Sequence, residues 1–193
     1  MPLRSSVASV PLVRLSMALR GLVCAGALVG AGCIDSGGKG DDSGASALDG
    51  MAGAMLKAHN AARGRAQPTP SPALPDLQWD EGLVTVAQAW AEQCVWEHSM
   101  GPTGENLAWF SWTVEPAEVV DAWFSEINDY DYDSNRCAAG KMCGHYTQLV
   151  WRDTSRVGCA VVSCADVEGI GMAGDLWVCE YDPPGNYVGQ RPY

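Results

Sequence analysis

Apolar residues recur at helical spacing from Met51 to Ala66, at Met51, Met55, Ala58 and Ala62, until Pro68 and Pro70 stop the pattern. The stretch QPTPSPALPDLQW that follows reads as an extended, Pro-rich connection. Asp80 is a plausible N-cap for a second helix, on which Leu83, Ala87, Trp90, Ala91 and Cys94 share one face as far as about Trp96. Beyond the Gly/Pro loop Ser99 to Gly104, the segment GENLAWF reads as a strand. A third helix begins between Thr113 and Pro116, since proline is tolerated in a first turn. Val119, Val120, Trp123, Phe124 and Ile127 form its apolar face, Glu118 and Asp121 point to solvent, and Glu126 lies at the edge of the apolar face. A carboxylate in that position needs a partner. GHYTQLVW is ambiguous: His145 to Leu149 fits a helical turn, and Thr147, Leu149 and Trp151 alternate as in a strand. Arg156 to Ser163 and Leu176 to Tyr181 read as strands joined by an acidic, Gly-rich hairpin loop, Ala165 to Asp175. Pro183, Pro184 and Gly185 close the sheet into an irregular tail.

Before Met51 the pattern changes character. Residues 1–32 carry Arg4, Arg14 and Arg20, no acidic residue, and the apolar run GLVCAGALVGAG, which reads as an export signal. The run is shorter than the about 20 apolar residues a membrane-spanning helix needs. Met17 opens a more compact version of the same signal. Ala31-Gly32-Cys33 is similar to a bacterial lipobox, with Gly30 in place of the usual leucine, so Cys33 is the expected lipidated N-terminus; simple cleavage nearby is the alternative. Residues 33–50 are rich in Gly, Ser and Asp, bury too little to offset their ordering entropy, and read as a flexible tether. Residues 51–193, roughly 145 residues, are one domain's worth of chain.

A formal net charge of −11 argues against a nucleic-acid partner. Of eight cysteines, Cys24 leaves with the signal and Cys33 takes lipid; the six remaining form an even set suited to an oxidising compartment, with fifteen pairings open. Asp129, Asp131 and Asp133 alternate as in a calcium loop, but Ser134 stands at the required glycine and Gly140 at the closing glutamate, so a solvated acidic loop is the better reading. No HExxH helix or GxSxG elbow is present. Three histidines occur. His59 lies on the first helix and reads as a capped or core-edge side chain, His98 sits where the second helix gives way to a loop, and His145 opens the GHYTQLVW block.

HNAAR, GENLAW, GHYTQLVW and VCEYDPPGNYVGQRPY, in that order over some three quarters of the chain, resemble the CAP superfamily of cysteine-rich secretory, antigen 5 and pathogenesis-related proteins. The resemblance implies an α+β fold, a three-layer α-β-α sandwich with a small, largely antiparallel sheet and three disulfides. It tips GHYTQLVW to a short helix and makes the HNAAR residues structural. Pairing as in the plant members implies Cys94–Cys164, Cys137–Cys143 and Cys159–Cys179, the gap before Cys179 being stretched by an insertion. Glu180 departs from the family pattern, where Asn, Gln, Arg, His or Ser is usual, and is expected to loosen local hydrogen bonding.

The resemblance also maps a cleft tetrad onto His98, Glu105, Glu126 and His145. His98 and His145 are then candidate ligands for a weakly held zinc ion, since two imidazoles leave coordination positions open. A satisfied structural cluster of His–Glu pairs is the alternative. The resulting reading is a monomeric extracellular or cell-envelope module, lipid-anchored, that binds a lipid or protein ligand. Its rivals are a metal-dependent hydrolase or peptidase with Glu105 or Glu126 as general base, and a structural surface scaffold. Ser99, beside His98, is the nucleophile candidate some relatives suggest; a turn cap suits it better, because adjacent residues rarely hold nucleophile–base geometry.

Overall fold

The computed structural model describes residues 50–193; the predicted export signal, Cys33 and the tether up to residue 49 lie outside the described residues. In chain order the elements are α1 (Gly50–Gly64), β1 (Gln78–Trp79), α2 (Glu81–Ala91), β2 (Gly104–Phe110), α3 (Pro116–Phe124), a 3-10 turn (Ser125–Asp129), β3 (Tyr130–Asp131), β4 (Arg136–Cys137), α4 (Gly144–Leu149), β5 (Arg156–Val167) and β6 (Met172–Asp182). The main sheet runs β1-β5-β6-β2, antiparallel except where β1 meets β5, and β3–β4 form a separate ribbon.

Strand alternation divides the side chains of the sheet between two cores. Val157, Cys159, Trp177, Cys179, Tyr181 and Ala108 face α1, α3 and α4, where Met55, Val119, Val120, Trp123, Tyr146 and Leu149 complete a buried cluster. Ala160, Cys164, Leu176, Val178 and Leu107 face α2 through Ala87 and Ala91. The result is the three-layer α-β-α sandwich. Gly158 is required by it: a Cβ there would overlap the backbone of Asp80 and Val84, so β5 passes directly against the start of α2.

Asp80 caps α2 as its position suggests, accepting from the N–H groups of Gly82 and Leu83 at 2.8 and 3.1 Å. The helix ends at Ala91, earlier than expected, because Cys94 adopts a positive φ of 54° and the chain turns to bridge Val95 to Glu168. The expected hairpin loop Ala165 to Asp175 is mostly strand, β5 and β6 pairing as far as Val167 and Met172. Glu126 lies on the 3-10 turn after α3 and not on the helix itself. In the acidic loop Asp131 Oδ1 accepts from the N–H and hydroxyl of Ser134 at 2.7 and 2.6 Å, forming a local turn.

Disulfides join Cys94–Cys164, Cys137–Cys143 and Cys159–Cys179. The HNAAR residues are internal braces. His59 is fully buried, a core residue and not an edge one, bonded to the Met55 carbonyl at 2.8 Å and the Tyr181 hydroxyl at 2.9 Å. Burial pushes its pKa down to about 4. Arg63, 2% exposed, donates to the carbonyls of Pro75, Leu149 and Trp151 at 2.8, 3.0 and 2.8 Å, tying α1 to both neighbouring loops.

Candidate functional site

β2 is an edge strand, and the candidate residues gather around its first turn. Where α2 ends early, the chain turns so that His98 meets Glu105 one residue into β2, His98 Nδ1 lying 2.6 Å from Glu105 Oε1. The Ser99 N–H donates to both oxygens of the same carboxylate at 3.1 and 3.2 Å. Glu105 is 6% exposed and the imidazole 53%, so the carboxylate is sheltered behind a ring that faces solvent. The Glu105 hydrogen bond raises the His98 pKa above the ordinary imidazole value against partial burial. Burial works to raise the Glu105 pKa, but hydrogen bonds from His98 and Ser99 outweigh it and hold the carboxyl below its usual range.

The second pair is built differently. Glu126 accepts from the backbone N–H groups of His145 and Tyr146 at 3.0 and 3.1 Å, satisfying the exposed donors of α4's first turn, and its other oxygen lies 2.6 Å from His145 Nδ1. That is the partner the carboxylate requires at this position. Trp123 stacks on the His145 ring, centroids 6.2 Å apart and planes 22° from parallel, and its own indole N–H is held by the Leu107 carbonyl at 2.8 Å.

Asn106 joins the two pairs. It follows Glu105 on β2 and so points to the opposite face, where its amide donates to the His145 carbonyl and the Tyr181 hydroxyl, both at 3.2 Å. The tetrad is thus two preformed His–Glu units flanking one strand.

A further residue belongs here. Glu180 stands opposite Glu105 in the β2–β6 ladder and is completely buried. Thr103 Oγ1 donates to its Oε2 at 2.5 Å, while Oε1 has no acceptor-type bond. Burial pushes its pKa up to about 7, and the neighbouring Glu105 carboxylate, within hydrogen-bond reach, pushes the same way. Two carboxylates side by side hold one proton more readily than two charges, so Glu180 carries the proton and Glu105 the charge. The sequence marks Glu180 only as a departure from the family pattern. Its place in the cleft depends on cross-strand register, although an acid in the apolar run LWVCEY is itself a signal. The expected loosening of hydrogen bonds is confined to Oε1.

Ser99 Oγ accepts from the Gly101 N–H at 3.3 Å, the turn cap that the sequence favours. Among the described residues one set of three ligand-type side chains has all its donor atoms within 4.8 Å: His59, Cys159 and Cys179. Both sulfurs are in a disulfide and both His59 nitrogens are engaged, so that set is core and not a metal centre.

A three-layer, triply cross-linked domain carrying two His–Glu units defines the class of a small cysteine-rich module. The chain belongs to the CAP family: the profile described as the cysteine-rich secretory protein family matches residues 56–181. It is 50% identical over 124 residues to the pathogenesis-related protein PR-1 of Medicago truncatula, an alignment covering 61% of this chain and 68% of that protein. It is 42% identical over 145 residues to peptidase inhibitor 16 of Homo sapiens, covering 72% of this chain but only 31% of that much longer relative. Among solved structures it resembles the Schistosoma mansoni venom allergen-like protein 4 (25% identity, TM-score 0.61, 76% of this chain and 95% of that one). It also resembles a crystal structure of NaASP2 with Zn2+ (25% identity, TM-score 0.57, 77% and 88%).

Proposed function

We propose that this chain is an extracellular CAP module that binds a lipid or protein ligand through or beside the His/Glu cleft, with His98 and His145 as imidazole ligands of an exchangeable zinc ion. The observation that carries this reading is the matched hydrogen bonding of the two rings. Each directs Nδ1 at a carboxylate 2.6 Å away, and neither Nε2 has a protein partner among the described residues. A carboxylate behind Nδ1 selects the tautomer whose lone pair is on Nε2, the arrangement found behind metal-bound histidines. Imidazole nitrogens suit a borderline cation such as zinc, with remaining positions left to water or ligand. Zinc bound there would supply a localised positive charge for an anionic or carbonyl group of the ligand. Glu105 and Glu126 then act by orienting the rings. The NaASP2 structure with Zn2+ supports zinc as the probe.

Export follows from residues 1–32 and anchoring from acylation of Cys33, both part of this proposal. Mass spectrometry of the mature N-terminus tests the anchor: a diacylglyceryl group on Cys33 is expected, and an unmodified terminus removes it.

The cleft itself is tested by calorimetric titration of zinc into the metal-stripped protein and its His98→Ala/His145→Ala variant. Saturable binding by the wild type alone is the expected result. No binding by either, or equal binding by both, would make the tetrad a structural cross-link. One observation favours a hydrolase instead, the Glu180 carboxyl titrating near neutrality beside Glu105. Turnover of a peptide or ester that disappears in the same double variant would establish that reading.

A further inference from the structure

Outside the cleft, the outer face of α2 carries an apolar groove of about 530 Å³ lined by Val86, Ala89, Trp90, Gln93, Ser99 and Gly101. That volume lies in the range of ligand sites, about 300–1,000 Å³. Val86 is 44% exposed, and the Trp90 ring is held in place by its indole N–H, which donates to the Glu97 carbonyl at 2.9 Å. At the loop side, Met100 is 90% exposed and held at a positive φ of 58°, next to residues that line the groove. An unbranched methionine on a fixed turn is adaptable contact surface. Ser99 belongs to both places: it lines the groove and its N–H holds Glu105.

The charge around the groove selects its occupant. From residue 66 to residue 135 the chain contains no lysine or arginine at all. Glu81 opens α2, Glu92 caps its end and Glu97 follows it, all three exposed. Thr85 and Trp90, which line the groove, bond the backbone carbonyls of Glu81 and Glu97, and the Glu92 carboxylate accepts from Gln88 one turn back on the helix, so all three acids belong to the segment that builds the groove. A free fatty acid or an anionic bilayer would bring negative charge to these carboxylates, while the cations at the two ends of α2 are already paired, Arg156 with Asp80 and Asp182 and His98 with Glu105. A second copy of a chain of net charge −11 brings the same repulsion.

We infer that the α2 groove is a docking site for a cationic, amphipathic segment of another protein, which seats a large apolar side chain against Val86 and Trp90 and sets lysine or arginine beside Glu81, Glu92 and Glu97. The apolar contact supplies affinity and the acidic rim steers encounter and excludes anionic competitors. This names a partner class for the ligand-binding reading above, but it does not depend on metal in the cleft.

The test is chemical-shift mapping on the 15N-labelled protein with chelator present, so that cleft metal plays no part. The probes are a synthetic ten-residue peptide alternating lysine with leucine, the same peptide with glutamate for lysine, and sodium palmitate. The lysine peptide is expected to shift the Trp90 indole and the amides of Val86, Ala89, Gln93 and Gly101. Its affinity should fall about tenfold or more in Val86→Lys, an exposed position, and fall again as salt shortens the Debye length to about 3 Å near 1 M. Equal binding of the glutamate peptide, palmitate shifting these signals where the lysine peptide does not, or no groove shift with any probe would each overturn the inference. Because zinc is absent throughout, failure here leaves the cleft reading untouched.

Discussion

Glu180 and Glu105 face each other across the β2–β6 ladder, one fully buried and bonded to Thr103, the other held by His98 and Ser99. Adjacent acids of this kind divide their roles by environment: Glu105, with two donors, keeps its charge, and Glu180, with one, keeps its proton.

Stability should therefore fall with rising pH across the Glu180 titration. Its folded pKa, about 7, lies above the ordinary carboxyl value of 4.5. Between those values the folded state holds more protons than the unfolded one, and unfolding free energy decreases as pH rises. His98, also raised, loses its stabilising contribution in the same direction as pH rises through its folded pKa. His59, lowered to about 4, acts oppositely from pH 4 to 6.5, because the folded state excludes its proton. Thermal unfolding of wild type and Glu180→Gln at about pH 5 and pH 8 isolates the acid. The variant should gain stability relative to wild type at the higher pH; an unchanged difference between the two values would contradict the protonated assignment.

Replacing Glu126 should cost more than its His145 contact alone suggests. Glu126→Ala leaves the His145 and Tyr146 N–H groups without acceptors at the start of α4. A loss of about 2–3 kcal/mol is expected in denaturant unfolding. Glu126→Gln should retain part of it, since the amide oxygen can still accept.

Arg63→Lys should behave as a disruptive change despite keeping the charge. The guanidinium reaches three carbonyls from two directions, and burial pulls its pKa down to about 10. A lysine cannot span them. Destabilisation of about 2–4 kcal/mol, read from the urea midpoint, is expected.

The three disulfides should differ in worth by loop length. Cys94–Cys164 closes a separation of 70 residues and Cys137–Cys143 one of 6. Chain entropy makes the longer loop worth about 2 kcal/mol more. Paired Cys→Ser variants compared in urea test this, and equal losses would point to strain or unfolded-state structure instead.

Much of this domain is legible in its sequence because local signals and motifs agree. Asp80 caps where it should, the α3 apolar face is buried through Val119, Val120 and Trp123, and Glu105 and His145 occur in motifs in the family's order. What escaped was non-local. The early end of α2 depends on Cys94 reaching Cys164 on β5. The β5–β6 pairing beyond Ser163 hides in a stretch rich in Gly and acids, where Cys164 pairs with Gly174 and Val167 with Met172 across an irregularity, so strand character there comes from cross-strand partners and not propensity. Glu180 enters the cleft only through register with Glu105, and the burial of His59 only through Tyr181.

The most direct measurement of the central claim is 15N NMR of the His98 and His145 side chains at about pH 8, before and after zinc. Both rings should carry their proton on Nδ1, with a lone pair on Nε2, and both Nε2 resonances should move together at the same zinc concentration. Protonation on Nε2, or zinc that leaves both rings unchanged, would contradict the account and reduce the tetrad to a brace between α4 and the sheet edge.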